Sequence, residues 1–132
     1  MEKKIVSTGK APKAIGPYSQ AIMVSFDHTD SKLIFVSGQG GIQPATNEYI
    51  PASVEEETRL ALSNIQAILE EAGSDLSKIV KTTIFLADLN DFQAVNTVYG
   101  TFFPKNPPAR STIEASRLPK GFKVEIEAIA IL

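Results

Sequence analysis

The 132 residues include no cysteine. That excludes thiol catalysis, disulfides and cysteine-ligated metals together. Histidine is nearly as scarce, with His28 the only one. It lies in the polar stretch "FDHTDS", without a second histidine or an acidic cluster at metal-ligand spacing, and reads as a solvated turn residue. A histidine-based acid–base pair or triad has no residues to draw on. No window is rich in lysine and arginine, and the formal net charge is −2. The basic stripe of an electrostatic nucleic-acid binder is therefore missing. Long hydrophobic runs are missing too. "MEKKIVSTGK" has no apolar leader core, and no segment approaches bilayer-spanning length. The expectation is a cytoplasmic protein with no membrane partner and no bound metal.

What is present describes an ordinary globular chain, 43% apolar and 21% charged. Its length suits one domain over residues 1–132, without repeats or a dividing linker. "AIMVSF" and "KLIFVSG" read as strands joined by the polar "DHTDS" turn. "GGIQPATNEYIP" reads as an irregular loop. Ser53 and Glu56 then form a capping-box pattern. Val54, Thr58, Ala61, Leu62, Ile65, Ile68, Leu69 and Ala72 follow at helical spacing, and Gly73 supplies the stop. The acids at 55–57 read as first-turn charges that suit the helix dipole. "KIVKTTIFLA" is a strand, with Val80, Thr82, Ile84 and Leu86 expected on one face. "DLNDFQAVNTVYGTFF" is a second helix with its stripe through Phe92, Val95, Tyr99 and Phe102. "FKVEIEAIAIL" closes the order as a strand.

The resulting fold class is α/β in the broad sense (α+β): a two-layer domain with a mixed β-sheet and two helices on one face. The other sheet face has no covering layer. It carries Phe85, Ile129 and Ile131, and an uncovered apolar face is an assembly surface. A homo-oligomer packed sheet against sheet is expected.

Few residues remain able to do chemistry. "SGQGG" at 37–41 follows a strand but lacks the spacing and lysine of a nucleotide loop. It fits better as a loop whose backbone approaches something small. Glu125 and Glu127 share a face of the last strand, about 7 Å apart by the two-residue repeat. Either is a candidate general base, while the other pairs with Lys123 or a neighbouring strand. Arg110, fixed by Pro107 and Pro108, offers a planar fork to a carboxylate. A salt bridge to one of those glutamates would use the same geometry. Asn96 lies at the edge of the second helix's apolar stripe and needs a partner for its amide, whether a neighbouring loop or a pocket. Glu114 and Arg117 read as surface charges on the Arg110 strand.

Four blocks then occur in a telling order: "AIGPYSQA", "VSGQ", "IVKTTIFLADLNDFQAVN" and "PPARSTIEASRLPKGFKVEIEAIA". From about Ile5 to Ile131 the chain resembles the RidA family, also called YjgF, of reactive intermediate deaminases. The resemblance implies a chorismate-mutase-like fold, a homotrimer, and ligand sites in clefts between subunits. It implies hydrolysis of 2-imino acids such as 2-iminobutanoate and 2-iminopropanoate to 2-oxo acids and ammonia, without a cofactor. On the same basis Arg110 is expected to bind the substrate carboxylate and Glu125 to position the attacking water. Tyr18, Ser37, Gly38, Asn96 and Thr112 match substrate-binding positions. Thr112 stands where many bacterial members carry cysteine, which implies contact through the backbone and no thiol chemistry there.

Two other activities are attached to the family. An endoribonuclease or translation inhibitor would want a basic track and an acid–base pair, which the sequence lacks. A non-catalytic trimer that binds small carboxylates, or acts as a chaperone-like partner, is the third alternative; the resemblance implies that inactive relatives lose the site arginine, and Arg110 is present.

Overall fold

The structure, a computed structural model, describes all residues 1–132. Its strands are β1 (Glu2–Val6), β2 (Ala21–Ser25), β3 (Lys32–Gln39), β4 (Ile42–Gln43), β5 (Glu48–Tyr49), β6 (Ile79–Leu86), β7 (Ala109–Glu114) and β8 (Val124–Ile131). The helices are α1 (Val54–Glu71) and α2 (Phe92–Phe102). Six strands form one sheet in the order β1-β2-β3-β8-β6-β7, and β4 and β5 make a separate hairpin. β8 lies between β3 and β6, antiparallel to both, while β7 runs parallel to β6 at the sheet edge. The sheet is therefore mixed, with both helices on one face, as the sequence pattern implied.

Helix α1 begins where Ser53 accepts a hydrogen bond from the Glu56 N–H at 3.2 Å. Glu56 turns its own carboxylate to Arg59 rather than back to the cap. The helix ends at Gly73, whose φ of +86° suits a residue without Cβ. Leu62, Ile65, Ile68 and Leu69 are fully buried against Ile34, Ile84, Val124 and Ile126 of the sheet. Truncating any one of these leucines or isoleucines to alanine would cost ~2–5 kcal/mol.

Several expectations need correcting. Glu2–Val6 forms the edge strand β1, which its lysines had hidden. In β6 the register shifts between Ile79 and Lys81, so Ile79 enters the core and Val80 faces solvent. In α2, Val98 joins Val95 and Tyr99 in the buried stripe, and Phe103 closes it. Phe92 stays on the surface at 40% exposure. Glu114 and Arg117 are exposed, as read, but Arg117 lies beyond the end of β7, and Glu114 accepts the Leu89 N–H at 2.9 Å and so holds the turn before α2.

The outer face of the sheet is bare in a single copy. Phe35, Ile113 and Ile131 are 41%, 49% and 46% exposed there. The registers Phe35↔Ile129 and Leu33↔Ile131 make this apolar area continuous across β3 and β8.

Candidate active site

Arg110 stands on β7, its backbone fixed opposite Thr82 by parallel pairing. Its side chain points to the helix layer. One guanidinium nitrogen donates to Asn96 Oδ1 at 2.8 Å, and the guanidinium carbon lies 4.8 Å from the Tyr99 ring centroid and 5.5 Å from that of Phe92. Stacking on aromatic faces holds a cation without consuming its hydrogen-bond donors. Arg110 makes no ion pair. Tyr99 is buried, and its hydroxyl shares a 2.8 Å bond with Thr82. Burial pushes the Tyr99 phenol up, against the opposing effects of Thr82 and the Arg110 charge. Two residues along the same face, the Thr112 Oγ1 is buried without a hydrogen-bond partner.

Glu125 lies elsewhere. Arg110 is level with Thr82 and Ala128, whereas Glu125 is level with Phe85 and Ile113. Strand rise and spacing then separate their Cα atoms by about 14 Å within one copy. Alternation also sends them to opposite faces: Ile126 and Val124 enter the core, so Glu125 points away from the helices. The salt bridge between Arg110 and one of these glutamates is thereby excluded within a chain. Lys123 pairs with neither; its ammonium lies 3.2 Å from Glu57.

Glu125 forms one wall of a small cavity of about 50 Å³, shared with Lys13, Tyr18, Gly38, Pro119 and Phe122. Burial pushes its carboxyl above the usual range, and the nearby Glu127 charge adds to that. A desolvated carboxylate of this kind is a better base than a free one. The wall opposite is backbone. A Cβ on Gly38 would come within 2.7 Å of Glu125 Oε2. The stretch expected to be a loop is mostly strand, since 37–39 end β3 at a register shift and only Gly40 and Gly41 lie outside it, and it approaches the protein's own carboxylate.

Ser37 donates its hydroxyl to the Ser19 carbonyl at 2.6 Å, which ties the start of this stretch to the segment carrying Tyr18. Tyr18 is 48% exposed, and its hydroxyl accepts the Ile15 N–H at 3.1 Å. Buried Gln20 holds that segment from below, donating to the Ala11 and Pro12 carbonyls at 3.3 and 2.7 Å and accepting from the Thr8 N–H at 2.7 Å. The residues singled out in the sequence therefore form two groups. Arg110, Asn96 and Thr112 belong to one; Tyr18, Ser37, Gly38 and Glu125 belong to the other.

Sequence reasoning passed over Tyr99, Gln20 and above all Glu57. The three acids at 55–57 read as equivalent, yet Glu57 is 1% exposed and meets Tyr49, Ala52 and Lys123. A signal was available: Glu57 is three residues after Val54 and four before Ala61, on the buried stripe. Gln20 gave no such signal. His28 is exposed in the β2–β3 turn, as read, with a φ of 64°. No group of three or more His, Cys, Asp or Glu side chains is placed to share a metal ion, and no helix is long and apolar enough to cross a membrane.

Fold and side chains together define a two-layer α+β protein with a split polar site, arginine on one face and carboxylate on the other. Residues 8–132 match the family described as Endoribonuclease L-PSP, and the chain belongs to that family, the Rid or YjgF proteins. A protein of Capra hircus named 2-iminobutanoate/2-iminopropanoate deaminase is 50% identical over 129 residues, covering 98% of this chain and 90% of the relative. The YjgF gene product of E. coli is 46% identical, with a TM-score of 0.85 over 97% of this chain and 98% of that one. The structure of E. coli TdcF with bound serine is 45% identical, with a TM-score of 0.87 over 98% of each chain.

Proposed function

We propose that the protein is a 2-iminobutanoate/2-iminopropanoate deaminase, working as a homotrimer whose sites lie in clefts between copies. The observation that carries the reading is Arg110: a half-buried guanidinium, oriented by Asn96 and two aromatic rings, with no carboxylate partner of its own. Such a fork is matched by the carboxylate of a small 2-imino acid. Serine, bound in the TdcF structure, carries the same handle.

Glu125 supplies the second group. A water held against its carboxylate loses a proton to it and adds through oxygen to the imine carbon. The imine reacts protonated on nitrogen, so its carbon–nitrogen double bond becomes single as the electron pair moves to the nitrogen and leaves a neutral amine. Glu125 then gives its proton to that nitrogen and takes the proton of the new hydroxyl as the carbon–oxygen double bond forms. The carbon–nitrogen bond breaks, and ammonia leaves a 2-oxo acid. Positioning and one general base suffice for the step. An acid of this size does not span about 14 Å between Arg110 and Glu125 of one copy. Arg110, Asn96 and Thr112 of one subunit are therefore set against Tyr18, Ser37, Gly38 and Glu125 of the next, where the β7 edge of one copy meets the bare sheet face of its neighbour.

The test generates 2-iminobutanoate in situ with a threonine dehydratase and follows the 2-oxo acid. The wild-type protein should accelerate its release. Arg110→Ala should lower kcat/KM by roughly 10³-fold with the fold intact, since a charged hydrogen-bonding donor is lost. Equal rates with and without wild-type protein would sink the reading. Mixing unfolded Arg110→Ala and Glu125→Gln chains and refolding them together should restore about a quarter of the sites, because random pairing across a repeated interface reunites Arg110 with Glu125. Recovery of no activity would refute sites shared between copies. RNA degradation, measured with the same Arg110→Ala variant, should be absent from both samples.

A further inference from the structure

Glu57 is a carboxylate with 1% exposure that the proposed reaction does not use. Every group bonded to it is a donor. The Tyr49 hydroxyl lies 3.0 Å from each oxygen, and the Ala52 N–H reaches Oε2 at 3.3 Å. The Lys123 N–H reaches Oε1 at 3.0 Å, and its ammonium reaches Oε2 at 3.2 Å. An ionised carboxylate, acceptor-only, matches these surroundings. Burial, and then the adjoining Glu57 carboxylate, push the Tyr49 phenol up to about 12, which keeps its proton in place as a donor. The same hydroxyl lies 3.1 Å from the Gly121 carbonyl.

These contacts reach Glu125 by two routes. Lys123, tied to Glu57 through both backbone and side chain, is two residues before Glu125 and leads into β8. The second route is the stretch 38–41, the end of β3 and the two glycines that follow it. A Cβ on Gly41 would come within 2.8 Å of Glu57 Cγ, and one on Gly38 within 2.7 Å of Glu125 Oε2. Between them Gly40 lies against the Phe122 ring, which meets Tyr49 edge-on at 4.9 Å. The stretch is therefore clamped between two glutamates.

We propose that Glu57 is a positioning residue for Glu125, fixing the entry to β8 and the seat of the 38–41 segment while touching no substrate. Its catalytic consequence rests on the deaminase reading above. Glu57→Ala should lower kcat about 10- to 100-fold with KM within about threefold, because the reacting carboxylate shifts while the Arg110 group is untouched. Glu57→Gln keeps the shape against Gly41 and one oxygen for the Lys123 N–H, and should restore most of kcat. Tyr49→Phe should lower kcat in the same direction by less, and it carries the test if Glu57→Ala does not fold. A purely structural role would lower melting temperatures and leave kcat per folded site unchanged.

A second readout needs no substrate. Carbon-13 titration of the Glu125 carboxyl should move down towards the ordinary range in Glu57→Ala, as a loosened strand entry lets water in. Lys13, Tyr18 and Glu127 are the other titratable groups facing it. An unchanged kcat, or an unmoved Glu125 titration, in a folded variant would overturn the proposal. A wild-type protein inactive on 2-iminobutanoate would instead overturn the deaminase reading, and the Glu125 titration would still decide the role of Glu57.

Discussion

Around Arg110 every holding contact comes from a side chain: the Asn96 amide and the rings of Phe92 and Tyr99, all on α2. Around Glu125 the tight contact is backbone, where Gly38 leaves the carboxylate its space, and the loops behind are secured by buried Gln20 and Glu57. The first arrangement presents a permanently charged donor to an anion. The second keeps a carboxylate partly out of water, so that it holds a proton more readily. In the proposed reaction, binding and proton transfer would thus be supported by different kinds of structure, one by stacked side chains and the other by close backbone.

That contrast is open to test in order of effect. Glu125→Gln keeps the shape and removes the base, so kcat should fall roughly 10³-fold while KM changes little. Its pH behaviour should separate the two groups as well. The raised carboxyl of Glu125 makes its ionisation unfavourable in the folded state. The stability linked to its protonated form is present below the ordinary carboxylate range and is lost as pH rises through the raised value. Thermal melts of Glu125→Gln should therefore exceed wild type at pH 8 and converge with it at acid pH. Wild-type kcat should fall as pH drops through the same raised value.

Gly38→Ala places a methyl group against Glu125 Oε2 and should cost about 10²-fold in kcat through misplacement, with carboxylate binding retained. A fall in affinity instead of kcat would break the separation between the two groups. Tyr99→Phe is the mildest change. It leaves the ring under Arg110 but strands the buried Thr82 hydroxyl, for a stability loss of ~1–2 kcal/mol and a small effect on KM, read by denaturant melts and initial rates.

Much of this molecule was legible in advance for a physical reason: period. The 3.6-residue repeat of α1 and the alternation of Val124, Ile126, Ala128 and Ala130 are imposed by burial on one side, so they appear in the sequence. The bare outer face followed from the isoleucines of the opposite row. The strand β1 was illegible because its exposed lysines carry no apolar alternation, and a one-residue register shift in β6 moved the burial from Val80 to Ile79. At the site, Arg110 and Glu125 stood out by chemistry and by resemblance. Their placement on opposite faces did not, because it depends on strand order β8-β6-β7 and not on either segment alone. Glu57 was obscured by two neighbouring acids that do what surface acids ordinarily do.

The glycines at 38, 40 and 41 meet Glu125, the Phe122 ring and Glu57 in turn. For sequence variation, this makes the segment a place where volume is counted and polarity hardly at all. The first methyl group should do most of the damage that any larger side chain would do. Such a stretch changes by wholesale rebuilding of its neighbours or stays as it is. A survey of single substitutions should find it as a narrow band intolerant of alanine and serine alike, running from the end of β3 to the start of β4 amid positions that accept exchanges among residues of similar size.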